Sequence, residues 1–291
     1  MISAASYNMY PELKQLWQKS FGDTAKYTDF LLSRIPPEQI LVIIRDKAIA
    51  AMLCWQPLEF VMPGRKIPAA YMFGFNTHPL LRGNGIGTEL LDGLHTHLSD
   101  KGYGAVCLAP ASESLFGYYG ARGYETLFNI KTVSLRADEL TPTGEQCILI
   151  PRELDKLYRN RDSFFCGERL YARWGVSFLH VLDKECRLRG GQVLRASCGS
   201  TGGYVVCLPP VKGKMCINEF AVPTNKFTDV LYALHKRFGA ESFEIRLPAD
   251  YPLEIPAAVL PFVMVKWYDN IEQEQHDPDF PCAAYFAHIL D

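Results

Sequence analysis

Residues 69–99 constrain the fold more than any other stretch of the chain. Ala69 to Phe75 is an apolar, strand-like run, and Glu89 to Ser99 reads as helix, with Ile86, Leu90, Leu91, Leu94 and Leu98 on one face. Between them lies Arg82-Gly83-Asn84-Gly85-Ile86-Gly87-Thr88. Glycine lets a backbone turn tightly and admits a ligand where a Cβ would intrude. The free N–H groups and partial positive charge of a helix start suit a phosphate. The pattern predicts a strand–turn–helix unit that takes a phosphate-bearing ligand at its turn. The turn reads G-x-G-x-G, so it lacks the last glycine of the dinucleotide fingerprint, and no Lys-Ser or Lys-Thr follows it as in a P-loop.

About thirty residues on, Tyr103 to Leu108 reads as a second strand, followed by Pro110-Ala111-Ser112-Glu113-Ser114 and then Leu115 to Tyr124. In this order the stretch resembles the GNAT acetyltransferases. Arg82, Gly85 and Gly87 match that family's R-x-x-G-x-G motif, and Tyr118, Tyr119, Gly123 and Tyr124 match its F-Y-x-x-x-G-F segment. The resemblance covers residues 1–135 well and the remainder loosely. It implies an α/β fold built on a mixed sheet, with acetyl-CoA as co-substrate and its pyrophosphate on the loop formed by Arg82, Gly83, Asn84, Gly85, Ile86, Gly87 and Thr88. It also implies that the backbone of Phe75, Asn76 and Thr77 pairs with the pantetheine arm as a missing strand would. Gly74 fits a bulge and Pro79 an interrupted ladder in that strand. Ser112 stands where many relatives place an Asn that touches the cofactor.

The chain has 291 residues, which favours two domains, and its 48% hydrophobic and 21% charged content belongs to a globular protein able to bury full cores. A net charge of −2 without long runs of one sign argues against a nucleic-acid partner. The apolar stretches are too short and interrupted to span a bilayer, and the N-terminus has no secretory pattern. Nine single cysteines without C-x-x-C pairs read as reduced, buried thiols of a cytoplasmic protein, with no metal site.

Two helices are expected first, one carrying Leu13, Leu16 and Trp17, the other capped by Asp23 or Thr24 and carrying Tyr27, Phe30, Leu31 and Ile35. Strands follow at Ile40 to Ile44 and Ala48 to Trp55, and another at Thr126 to Leu135. Arg136 to Gln146 reads as a linker, giving domains 1–140 and 141–291. In the second half, helical spacing at Leu154 to Leu179 precedes strands at Gln192 to Ala196, Gly203 to Leu208 and Met215 to Val222. A helix from Lys226 to Phe238 and strands at Phe243 to Leu247, Pro261 to Trp267 and Ala284 to Leu290 complete it. That order repeats the first half. The corresponding turn, Val222-Pro223-Thr224-Asn225-Lys226-Phe227, has no glycine, and Pro223 removes an amide donor. The chain therefore reads as two tandem GNAT-like domains, the second degenerate, distantly like the enhanced-intracellular-survival type.

Acetyl transfer from a thioester to an amine needs a neutral amine, a polarised carbonyl and a proton for the departing thiolate. The family resemblance gives the general acid to Tyr119, whose phenol, with an unperturbed pKa of about 10, is protonated at neutral pH. Tyr118 reads as packing. The strand Tyr71 to Thr77 offers no carboxylate, so the general base is open among Glu59, Glu113, His78, the C-terminal carboxylate of Asp291, and a water chain. Resemblance also puts the first helix pair beside the acceptor pocket, where Trp17, Tyr27, Phe30 and Trp55 can line it or simply form core. His95 and His97 lie off the leucine face and read as solvated.

The function expected is acetyl transfer to a primary amine of a small-molecule acceptor; the alternative is a non-catalytic module that binds acyl-CoA and acts through a partner. The second domain then walls the acceptor pocket or makes an oligomer contact, and homo-oligomerisation stays open.

Overall fold

The computed structural model describes residues 2–167, 169–268 and 284–286. The chain begins with β1 (Ile2–Ala4), α1 (Tyr10–Phe21), α2 (Ala25–Leu32), β2 (Ile40–Arg45), β3 (Ala48–Met62) and β4 (Arg65–Thr77). Next come α3 (Ile86–Asp100), β5 (Ala105–Leu108), α4 (Glu113–Gly120), β6 (Glu125–Arg136) and β7 (Cys147–Pro151). After α5 (Tyr158–Phe165), β8 (Leu170–Trp174) and α6 (Val176–Leu188) follow β9 (Gln192–Cys198), β10 (Thr201–Cys207) and β11 (Lys214–Ala221). The last elements are α7 (Phe227–Phe238), β12 (Ser242–Pro248), β13 (Ala258–Trp267) and β14 (Ala284–Phe286).

Local chemistry explains most of these boundaries. Pro11 sits in the first turn of α1, which ends at Gly22 in the left-handed conformation. Thr24, rather than Asp23, caps α2 by accepting the amide of Tyr27. Asp23 instead accepts the indole N–H of Trp17 at 2.7 Å. Asp46 and Lys47 adopt positive φ between β2 and β3, as a tight hairpin requires. Leu170 to Trp174, expected in a helical run, forms a strand that pairs in parallel with β14. Its short apolar sequence suits either state, and tertiary pairing decides.

The chain divides into two compact units, each of three segments. The first comprises Met1–Glu59, Ile67–Glu125 and Met264–Phe280; the second comprises Phe60–Lys66, Thr126–Val263 and Pro281–Asp291. The sequence reading has one division, near residue 140. Within the first unit the strands run β1-β2-β3-β4-β5-β13. β4 and β5 are parallel, joined through α3, and Met264 to Trp267 of β13 pairs antiparallel with β5. The expected leucine face of α3 is buried whole, against Ala70, Met72 and Val106. Each leucine of that face contributes roughly 1.5–3 kcal/mol of transfer free energy. Within the second unit the order is β6-β12-β11-β10-β9-β7, with β11 and β12 parallel around α7.

Two expectations about side chains need correction. Cys147 and Cys198 stand opposite each other on β7 and β9 and form a disulfide, their Cα atoms 4.3 Å apart. Strand register brings together two cysteines separated by 51 residues, a proximity that local spacing does not reveal, so the premise of wholly reduced thiols fails for this pair. Cys282 lies outside the described residues. His95 is half-buried, with Nε2 3.0 Å from the Tyr124 hydroxyl, because β13 brings Lys266 and Tyr268 against its side of α3. His97 is also half-buried, edge-on to Trp55.

Gly74 has φ of 60°, and a Cβ there would lie 2.2 Å from the Trp17 ring. Gly74→Ala is expected to destabilise by about 2–4 kcal/mol, read as a lower urea midpoint. Burial first, and then the charge of Lys266, pull His95 down to about 4 from 6.5. The unfolded chain thus binds the extra proton first, and stability is lost as pH falls from 6.5 towards 4. The unfolding free energy from urea titrations should fall across that range by an amount on the order of 2 kcal/mol less in His95→Gln than in the wild type.

Candidate active site

β4 pairs with β5 from Ala69 to Tyr71, then runs on to Thr77 after that pairing ends. Its far side stays tied to β3, where His78 donates its amide to the Ala50 carbonyl. The strand bends at Gly74, over which the ring of Trp17 lies. The Asn76 side chain holds the bend: its Nδ2 donates to the Gly74 carbonyl at 2.9 Å, while its Oδ1 accepts from Ser20 at 3.2 Å. Thus α1 is fastened to the strand end that β5 leaves.

A cavity of about 520 Å³ opens there. One wall is Phe75, Asn76 and Thr77; a second is the glycine turn and first residues of α3; a third is Leu115, Tyr118, Tyr119 and Arg122. Ser20 and Phe21 from the last turn of α1 complete it. Gly83 and Gly85 have φ of 82° and 77°, the left-handed conformation that favours glycine. Gly85 is the N-cap of α3, and no side chain caps the helix. The amides of its first turn have no intrahelical acceptor. Glu89, the acid of that turn, is held by Arg45 through two bonds of 2.7 and 2.6 Å. At Gly87 a Cβ would lie 3.1 Å from Phe75, 3.4 Å from the Thr77 hydroxyl and 3.5 Å from the Tyr118 hydroxyl, so three walls meet over this residue.

Of the residues expected to bind cofactor, Phe75, Asn76, Thr77, Arg82, Gly83, Gly85, Ile86, Gly87 and Thr88 line the cavity. Two do not. The Asn84 amide turns back onto the carbonyls of Leu81 and Arg82, and Ser112 is exposed with its hydroxyl 3.0 Å from that of Ser114. Tyr119 is in the cavity wall and 7% exposed. Burial raises its phenol above the ordinary range, the neighbouring Tyr118 adds to this, and the Arg122 charge opposes it.

The cavity does not gather the expected acceptor-pocket residues. Trp17 and Trp55 are buried in the core of this unit; Tyr27 and Phe30 lie half-buried on α2, with the Arg34 guanidinium 4.2 Å from the Phe30 ring centre. Glu59, Glu113 and His78 are outside the lining, and Asp291 lies outside the described residues. Ser20, Phe21 and Arg122 are functional candidates that the sequence pattern missed. Arg122 sits inside the Tyr-rich segment, and its charge was the available signal.

The lining contains two guanidiniums, Arg82 and Arg122, and no carboxylate. With uncapped helix amides beside them, it suits a ligand with several negative charges. Among the described residues no helix is long and apolar enough to cross a membrane, and no group of three or more His, Cys, Asp or Glu side chains is placed to hold a metal ion.

Residues 2–127 match the family of acetyltransferase (GNAT) domains. No curated protein matches the chain. Its fold is similar to that of a GCN5-related N-acetyltransferase from Anabaena variabilis, at 16% identity and a TM-score of 0.73, over 91% of this chain and 72% of that one. A GCN5-related N-acetyltransferase from Kribbella flavida is similar at 17% identity and a TM-score of 0.69, over 92% and 71% of the two chains. Eis1 from Mycobacterium abscessus is similar at 12% identity and a TM-score of 0.69, over 93% and 74%. The protein thus has the mixed α/β fold of the GNAT acetyltransferases, with the family's domain matched over residues 2–127.

Proposed function

We propose that this protein transfers an acetyl group from acetyl-CoA to a primary amine of a small-molecule acceptor. The observation that carries the reading is one cavity lined by an uncapped glycine turn, two guanidiniums, an open strand edge and a buried tyrosine. Bound acetyl-CoA would supply an activated thioester with a thiolate leaving group. The residues assigned to hold it are the turn from Arg82 to Thr88, whose amides would bind the phosphates, and Phe75 to Thr77, whose backbone would pair with the pantetheine arm. Tyr119 keeps its proton throughout the neutral range, as a general acid must, because burial raises its phenol.

We also read the chain as two GNAT-like domains, 1–140 and 141–291. Support comes from the sheets: in each unit, a helix joins two parallel strands, β4 to β5 through α3 and β11 to β12 through α7, and an antiparallel strand flanks the second. That flanking strand is β13 on β5 and β6 on β12, so each half of the sequence contributes the outer strand to the other's sheet. At the second turn Lys226 Nζ pairs with Glu145, and the acid Asp229 in the first turn of α7 binds the amide and hydroxyl of Thr143. These contacts favour a second copy without a cofactor.

One observation favours a non-catalytic acyl-CoA-binding module as the second reading: the lining contains neither carboxylate nor histidine to accept an amine's proton. Free-thiol release from acetyl-CoA over a panel of amines separates the two, since turnover with any amine removes the second reading and none removes the first. Acetyl-CoA should raise the melting temperature of the wild type. Gly85→Asp should abolish that rise, because it strains a left-handed position and sets a carboxylate against phosphate. Tyr119→Phe should keep the rise and slow thiol release by roughly 10²-fold. Wild-type turnover in Tyr119→Phe would remove its acid role.

A further inference from the structure

The guanidinium of Arg122 is held in a fixed pose that uses only part of its hydrogen-bonding capacity. It lies over the ring of Tyr118, 3.7 Å from the ring centre. Nη1 donates to the Tyr118 carbonyl at 2.7 Å, and Nη2 donates to the Thr88 hydroxyl at 3.0 Å in the first turn of α3. Its own backbone carbonyl accepts from Lys266 Nζ at 2.8 Å, a contact brought by β13. The Nε–H is buried and makes no hydrogen bond within the protein. Among the described residues no carboxylate pairs with this cation, and the cavity it lines has none.

An arginine that is stacked, tethered at both terminal nitrogens and still left with a buried donor is ordered before any ligand arrives. Its tether to Thr88 sets the positive charge beside the uncapped amides of α3, where a phosphate is best stabilised. Arg82, by contrast, is exposed at the rim, with Nε donating to the Thr77 carbonyl at 3.2 Å. The two cations divide the work, one at the mouth and one inside. From these contacts we infer that Arg122 is a ligand-binding residue that contacts the diphosphate of a bound coenzyme, and that Tyr118 and Thr88 position it. This rests on the proposed coenzyme site.

The test is calorimetric titration of the full chain with coenzyme A, in the wild type, Arg122→Gln and Arg122→Lys, at two salt concentrations. Arg122→Gln is expected to bind roughly 10–100-fold more weakly and with a flatter salt dependence, while Arg122→Lys, which keeps the charge and loses the planar fork, falls between. Wild-type affinity in Arg122→Gln overturns the inference, and so does weakened binding with unchanged salt dependence, which marks a packing role. If Arg122→Gln does not fold, mass mapping of phenylglyoxal-labelled wild type decides: protection of Arg122 by coenzyme A supports the contact, and equal labelling with and without it overturns it. A wild type that does not bind coenzyme A removes the coenzyme site as well, whereas a wild type that binds beside an indifferent Arg122→Gln removes only the role of Arg122.

Discussion

The amides in the first turn of α3 have no acceptor within their own helix, and the surrounding structure keeps them available. A helix start ordinarily borrows an oxygen from a Ser, Thr, Asp or Asn side chain. Here the N-cap is Gly85, which has none to lend, and its left-handed backbone aims the turn without a Cβ over it. The nearest acid, Glu89, is engaged by Arg45. Thr88 is engaged by Arg122. The turn is thus left with donors and positive potential, a combination that is costly to bury unless an anion completes it.

The second requirement is a strand edge, and it is met by letting two parallel strands part. β4 leaves β5 after Tyr71, and the bend at Gly74 lets the Trp17 ring lie on the backbone. Asn76 then satisfies the Gly74 carbonyl that the bend turns aside. Neither α1 nor β4 has this geometry alone. The helix supplies a ring and a hydroxyl, and the strand supplies a residue small enough to be covered. The cavity follows from that junction, with α4 closing it from the other side.

The second unit has the same strand order and fills the corresponding region differently. β11 carries Glu219, fully buried and paired through two bonds of 2.8 and 2.9 Å with Arg161 of α5, while the Tyr204 hydroxyl also donates to Glu219. A buried pair of this kind costs several kcal/mol in desolvation per ion and persists only when its hydrogen bonds are nearly complete. Its turn before α7 has a proline in place of glycine, and its helix start carries the acid Asp229. Donors that would favour an anion stay available in the first unit, whereas the polar groups named in the second are paired internally.

Much of the first unit is legible in the sequence because its signals are local. Helical spacing marks the buried face of α3, three glycines mark the turn, and a tyrosine pair marks α4, all within segments short enough for one backbone period to govern. Asn84 and Ser112 show the limit of such reading: each has the right position in a motif, but short-range hydrogen bonds turn one side chain away and leave the other in solvent. The strand–turn–helix unit and the lack of a glycine turn in the second half can be read from the chain alone, since both depend on glycine and proline backbone freedom. The return of β13 to β5, the meeting of Cys147 with Cys198 and the reach of Arg122 to Thr88 emerge only when the sheets come together. These contacts join residues 34 or more positions apart. Such pairings follow from how whole sheets assemble, and no local period encodes them.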